Sequence, residues 1–335
     1  MAEIPFVPPL DDVHYGVAEQ VSPLIRRVIA RNPSKFSYRG TGTYIVGRAG
    51  APVAVIDPGP QLDSHRDALA AALRGVQVAA ILVTHCHADH SPLSAWLQSE
   101  TGAPTIAFGP HGLAETDPHD ELDDERDDDP DHEPEPSEPS EPILIDGQPV
   151  EEPAETIDLD FVPDIAVADG DVATTFDGLT IRAVHTPGHT SNHLCFALDA
   201  ERALFSGDHV MGWSTTVVSP PDGDMRAYME SLRKVIGRSD TTLWPTHGNP
   251  VTDVAPFLDA YLAHRVAREI QIVDLVRAGV QRVPDMVAVL YAEVRRELHR
   301  PAARSVLAHL VKLVDDGLVA VDTERPRLRS CYSAA

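Results

Sequence analysis

The segment Thr84-His85-Cys86-His87-Ala88-Asp89-His90 constrains this chain more than any other. It follows an apolar run, Val76 to Thr84, that reads as a buried strand ending abruptly in polar groups. Three imidazoles and a carboxylate within six residues suit a borderline divalent ion such as Zn²⁺. On an extended segment residues i and i+2 point to one side, so His85 and His87 are able to pinch one metal. The turn into the following helix, opened by Ser91-Pro92, brings Asp89 and His90 towards a second. Histidines that merely cap a helix would not need four potential ligands at one strand end.

Three more segments share this form, a metal-binding residue beside a Gly-bearing turn at a strand end. They are Thr186-Pro187-Gly188-His189-Thr190, Phe205-Ser206-Gly207-Asp208-His209 and Trp244-Pro245-Thr246-His247-Gly248. Each alone is ordinary turn chemistry. Together with the first segment they complete seven ligands, the number a dinuclear site needs when one carboxylate bridges.

The charge of the chain is unevenly distributed. Of 335 residues, 27 are Lys or Arg and 52 are Asp or Glu, a formal net charge of −25. Between Glu115 and Asp160 stand 21 acidic residues against Arg126 alone, a net of −20, together with eight prolines. Such a stretch does not bury enough apolar surface to offset its ordering entropy, so about 115–155 reads as a solvated, disordered insertion. His119 and His132 within it read as filler rather than as a metal trap. Bulk acidity argues against a protein that coats nucleic acid or anionic lipid, although with the insertion removed the remaining body is nearly neutral. Cys86, Cys195 and Cys331 are too few and scattered for a disulfide framework. The acidic, proline-broken N-terminus lacks the form of an export signal, which makes the cytoplasm the expected location. No apolar run reaches membrane-span length.

Patterning supplies the remaining elements. Strands are expected at 43–46, 53–57, 76–84, 104–108, 173–176, 179–185, 194–198, 203–205 and 241–245, with hairpin turns at Gly47 to Gly50 and Asp177-Gly178. Helices are expected at 63–73, 91–99 and 224–236. Further helices at 258–280, 284–298 and 301–314, then a ribbon of 318–321 with 327–331, suggest a winged-helix-like C-terminal domain. The expected division is 1–255, interrupted by the insertion, and 256–335.

The ordered motif set resembles that of the metallo-β-lactamase-fold hydrolases over about residues 20–255. The resemblance implies a four-layer αβ/βα sandwich with metals at one edge between two mixed sheets. It places His85, His87 and His189 on one metal, and Asp89, His90 and His247 on the other, with Asp208 bridging. Asp57, in Val55-Ile56-Asp57-Pro58-Gly59, matches the family's supporting aspartate. Within the superfamily the chain is similar to the β-lactamase-like protein 2 family, in the glyoxalase II-like group. That similarity rests on His185 to Leu194, Phe205 to Gly212 and Pro301 to Leu310. Its animal member is regarded as an endoribonuclease acting on single-stranded RNA.

The implied chemistry is hydrolysis in which a metal-bridging hydroxide attacks an ester or thioester carbonyl. The alternative is cleavage of single-stranded RNA phosphodiesters by the same metals. Two divalent ions are expected, zinc first, with iron or manganese acceptable to such ligands. Asp208 would hold their spacing, and Asp89 would accept the nucleophile's proton. His185 and His193, flanking His189, either support a ligand or face substrate. Cys86 lies between two ligands and points to the core. His264 and Arg268 share a helix face that either meets an anionic leaving group or is simply solvated. Trp213 either lines the cleft or belongs to the core. The C-terminal helices are expected to wall the cleft or to contact a second copy, since they lack the basic stripe of a DNA reader.

Overall fold

The computed structural model describes residues 4–112, 144–145, 148–149, 156–294 and 296–335. The acidic insertion, with His119 and His132, lies almost entirely outside them. Two mixed sheets form the centre. The first is ordered β1 (Glu19–Ser22), β2 (Ile25–Ile29), β3 (Gly42–Val46), β4 (Val53–Ile56), β5 (Val78–Leu82), β6 (Thr105–Ala107) and β9 (Ile165–Ala166). The short pair β7 (Leu144–Ile145) and β8 (Gln148–Pro149) stands apart from it. The second sheet is ordered β10 (Val172–Phe176), β11 (Leu179–His185), β12 (Leu194–Leu198), β13 (Ala203–Gly207) and β14 (Thr242–Pro245). Both begin with antiparallel hairpins and finish parallel, through β4–β5–β6–β9 and β13–β14.

Period-two alternation decides which face each side chain covers. On β12, Leu194, Phe196 and Leu198 point between the sheets, where they meet Tyr44, Ile56 and Leu82. Cys195 and Ala197 point outward onto the helices α3 (Met225–Ile236) and α4 (Val254–Arg277), through Tyr228, Leu232 and Tyr261. The outer face of the first sheet packs Ile45, Val55 and Ile81 on α1 (Asp63–Ala72) and α2 (Leu93–Thr101). Helices thus cover both outer faces of a packed pair of sheets, the αβ/βα sandwich expected. Truncating Phe196 in such a core would cost about 3–5 kcal/mol.

The β10–β11 turn is Asp177-Gly178, with φ of 46° and 71°, the left-handed pair that a tight hairpin demands. The helix α3 starts at Asp224, whose side chain accepts from the Ala227 N–H at 2.9 Å. Beyond α4 come α5 (Val283–Leu290), α6 (His299–Asp315) and the ribbon β15 (Val319–Val321) with β16 (Tyr332–Ala334). These share a separate core around Ile272, Met286, Val306, Leu310 and Tyr332. The long helix α4 serves two cores, with Phe257 and Tyr261 in one and Ile272 and Val276 in the other.

Two expectations in this region need correction. The helix expected over 284–298 stops at Leu290, where the Arg268 guanidinium donates to the Leu290 carbonyl at 3.2 Å and lies 4.4 Å over the Tyr291 ring. The second ribbon strand is 332–334 rather than 327–331, because Arg327 and Ser330 are tied into a local turn. Among the described residues no helix is long and apolar enough to cross a membrane.

Candidate metal centre

All four motif segments emerge at one edge of the sandwich, after β5, β11, β13 and β14. His85 Nε2 stands 3.0 Å from His87 Nδ1, which stands 3.2 Å from His189 Nε2. Beside this trio, His90 Nε2 lies 3.4 Å from Asp89 Oδ1 and 3.7 Å from Asp208 Oδ1. His247 Nε2 lies 3.4 Å from Asp89 Oδ2 and 3.3 Å from Asp208 Oδ2. The same Asp208 Oδ2 is 3.9 Å from His189 Nε2, so this carboxylate stands between the two groups.

The hydrogen-bond partners behind the rings fix which nitrogen faces inward. The Thr84 hydroxyl donates to Asp57 Oδ2 at 2.8 Å, so at 3.0 Å it accepts the proton on His85 Nδ1. His189 Nδ1 donates to the Val217 carbonyl at 2.7 Å, and His247 Nδ1 to that of Gly40 at 3.4 Å. His90 Nδ1 donates to Asp57 Oδ2 at 2.9 Å. The Nε2 atoms of all four rings are therefore directed at the centre. His90 Nε2 and Asp208 Oδ1 are buried with no hydrogen-bond partner. Nitrogens bound at about 2.0–2.1 Å to one tetrahedral zinc stand roughly 3.3 Å apart. Converging lone pairs, orphaned buried polar atoms and two carboxylates fit divalent cations in both groups.

Electrostatics differs between the two groups. Burial holds the His85 imidazole well below its usual pKa and, with His189 beside it, pushes His87 down to about 3, so both rings are neutral donors. Burial also opposes charge on His90, but Asp89, Asp208 and Asp57 outweigh it and hold that pKa well above the usual value. The same competition, won by His247 and His90, keeps Asp208 well below the ordinary carboxylate range.

Tight local packing sets the loops that carry these residues. Gly188, at φ 132°, lies so close to α3 that a Cβ there would stand 2.3 Å from the Tyr228 Cα. Gly207, at φ 51°, leaves room for His193, whose Nε2 would otherwise meet a Cβ at 2.6 Å. Asp57 itself sits at φ 49° and also accepts from the Thr84 N–H at 2.8 Å.

The other residues singled out in the sequence are placed as follows. His193 is buried beneath the cluster, accepting from the Asp208 N–H at 3.2 Å and donating to the Thr186 hydroxyl at 2.9 Å. Cys86 is buried, with Val83, Ala107 and Phe161 around it. His185 is not brought to the centre, because its ring stacks on Phe108 at 4.0 Å and its Nε2 meets the Ser191 carbonyl at 3.1 Å. Arg268 is engaged at the end of α5, as above, and His264 is a half-buried neighbour whose pKa burial pushes down to about 4. Neither borders the cleft beside the cluster, a cavity of about 90 Å³ bounded by Asn32, Phe36, Pro60, Asp89, Asp208 and His247. No described residue beyond 255 lines this cavity. Trp213 stacks on Tyr38 at 4.5 Å, close to Gly248.

Three contributors were missed in the sequence. The arginine of α4 that reaches towards the centre is Arg265, which donates to the Thr216 carbonyl at 2.5 Å, while the Thr216 hydroxyl donates to that of Asp208 at 2.8 Å. Thr41 and Asn32 lie behind Asp89. No motif marks them, since their contacts depend on a loop closing between β2 and β3.

Residues 39–247 match the metallo-beta-lactamase superfamily, and residues 283–326 the beta-lactamase associated winged helix domain. The chain belongs to the metallo-β-lactamase superfamily. As a member of that superfamily it is a metal-dependent hydrolase with a C-terminal winged helix. It is 30% identical over 330 residues to an atrochrysone carboxyl ACP thioesterase of Emericella nidulans, covering 96% of this chain and 86% of that one. It is 29% identical over 310 residues to the beta-lactamase-like protein 2 homolog of Caenorhabditis elegans, covering 91% and 89%. The crystal structure of a beta-lactamase domain protein from Burkholderia ambifaria superposes with a TM-score of 0.74 at 21% identity, covering 98% of this chain and 96% of that one. The shared metallo-β-lactamase fold accounts for that last likeness.

Proposed function

We propose that this chain hydrolyses a thioester, giving a carboxylic acid and a free thiol, with a pair of zinc ions as cofactor. The observation that carries the reading is the convergence of seven side chains at one edge of the sandwich, in a chain whose relatives along nearly its whole length include named acyl carrier protein thioesterases. His85, His87 and His189 would hold one ion, and Asp89, His90 and His247 the other, with Asp208 serving both. When bound, such a pair supplies a water activated near neutral pH and polarises the carbonyl.

The protein's own groups do the rest. Asp57 and Thr84 orient His90 and His85. Asp208 keeps its backbone N–H on His193 and its carbonyl on Thr216, which fixes the main chain from which its carboxylate reaches both groups. Asp89, at the border of the cleft, would take a proton from the incoming water. Phe36 and Pro60 give the cleft an apolar side for an acyl group.

The test is thiol release from a panel of acyl-pantetheine and acyl-coenzyme A thioesters, with single-stranded RNA as a parallel substrate, by protein loaded with zinc and by chelated protein. Thioester hydrolysis is expected only with zinc, and loss of at least about 100-fold with Asp208→Ala. Metal-dependent cleavage of RNA with no thioester turnover would overturn the reading.

A further inference from the structure

The chain between β2 and β3 makes a loop whose neck is closed by the Ala30 N–H on the Thr41 carbonyl at 2.8 Å. Inside that neck Asn32 and Thr41 are buried. The Asn32 Oδ1 accepts from the Thr41 N–H at 2.9 Å. A backbone N–H only donates, so this bond fixes the amide, and Asn32 Nδ2 must face the Thr41 hydroxyl, to which it donates at 2.9 Å. The Thr41 oxygen is thus an acceptor on that side. Its single proton has one destination, Asp89 Oδ2 at 2.7 Å.

We infer that Thr41, held by Asn32, is a positioning residue that aims the Asp89 carboxylate. The inference rests on the reading of Asp89 as a ligand in the second group. A carboxylate on a short side chain has a free torsion about Cβ–Cγ, which is broad for Asp. The hydroxyl removes that freedom. It occupies one lone pair of Oδ2 and leaves Oδ1 turned to His90 Nε2 at 3.4 Å. It also favours the ionised carboxylate, because a donated hydrogen bond stabilises the anion. Gly40 makes the geometry available. At φ 117° any Cβ would stand 2.1 Å from the Ala30 carbonyl oxygen, so the neck closes only around glycine. Asn32 also borders the cleft, which places this support on the substrate side of the ligand.

The experiment measures zinc binding rather than turnover. Full-length protein carrying two zinc ions is titrated with a chelator of known affinity, with zinc per chain read by elemental analysis and folding checked by thermal melting. Thr41→Val, which keeps the shape and removes the proton, is expected to weaken one zinc ion by about 10–100-fold and to leave the other unchanged. Thr41→Ser should restore the affinity to within about threefold, which a purely steric role for the side chain would not do. Asn32→Ala should weaken the same ion, and the double variant should lose no more than Thr41→Val alone. Should Thr41→Val fail to fold, Asn32→Ala and Thr41→Ser carry the same test. Wild-type affinity for both ions in Thr41→Val, or in Asn32→Ala if that variant decides, would overturn the inference. The control is Asp89→Ala. If it releases one ion while Thr41→Val keeps both, only the positioning role falls. If it keeps both as tightly as wild type, the proposed ligand set falls with it.

Discussion

His85, His87 and His189 meet with no carboxylate among them, whereas His90 and His247 stand against Asp89 and Asp208 at 3.3–3.7 Å. The first group is held mainly from behind by a threonine hydroxyl and a backbone carbonyl. The second leans on Asp57, Thr41 and Asn32, all buried. A neutral trio needs only its lone pairs aimed. A group with two carboxylates must also keep them apart and ionised, so it requires more supporting donors. The contrast predicts that damage behind the second group is selective, and that only Asp208 spans both.

The largest effect should come from Asp208→Ala. Both ions should bind more weakly in the chelator titration, since this carboxylate faces both groups. Weakening of a single ion would break the idea that one side chain serves the pair. Asp57→Ala should come next. It strips His90 Nδ1 and the Thr84 N–H and hydroxyl of their acceptor, at a cost of about 3–5 kcal/mol in the unfolding free energy from denaturant titration. The ion at His90 should weaken by about 10–100-fold. Equal weakening at the trio would show that the Asp57–Thr84–His85 chain couples the groups after all.

The C-terminal region, away from this edge, has a buried histidine of its own, His309. Burial pushes the His309 pKa down to about 4, although Glu269 lies 3.6 Å away. The free imidazole titrates near 6.5, so the unfolded chain binds the extra proton first. His309 therefore imposes no penalty above about pH 6.5, and stability falls as pH drops from there towards 4, by up to about 3 kcal/mol. Thermal melts across that range should flatten in His309→Leu. An unchanged slope would assign the acid loss elsewhere. His65 and His264, also pushed down to about 4 by burial, are the next sources to examine. The smallest effect on activity should be that of Arg268→Ala, which gives up the bond to the Leu290 carbonyl and the contact with Tyr291. A loss of about 1–3 kcal/mol is expected with turnover unchanged. A fall in kcat would return Arg268 to the cleft.

Much of this was legible from residue patterns because burial on both faces writes a strong signal. The strands 179–185 and 194–198 were bounded as they stand, and the strand-end motifs fell where the sheets end. The pair β1 and β2 was missed. Arg26 and Arg27 interrupt the apolar run, and only the fold shows Arg27 buried, donating to the Gly248 carbonyl at 3.0 Å. Arg268 and Arg265 lie within one turn of the same helix, and periodicity does not say which of two neighbouring faces meets the sandwich. The Asn32–Thr41 pair spans nine positions of loop with no period at all, so its function exists only once the neck has closed.

Gly188 leaves no clearance between the loop bearing His189 and the backbone of α3. Helix and loop consequently share one positional coordinate, so a shift of α3 along or away from its sheet displaces the loop that carries His189. The helix is therefore a lever on the reactive edge, although no side chain of its own needs to enter it.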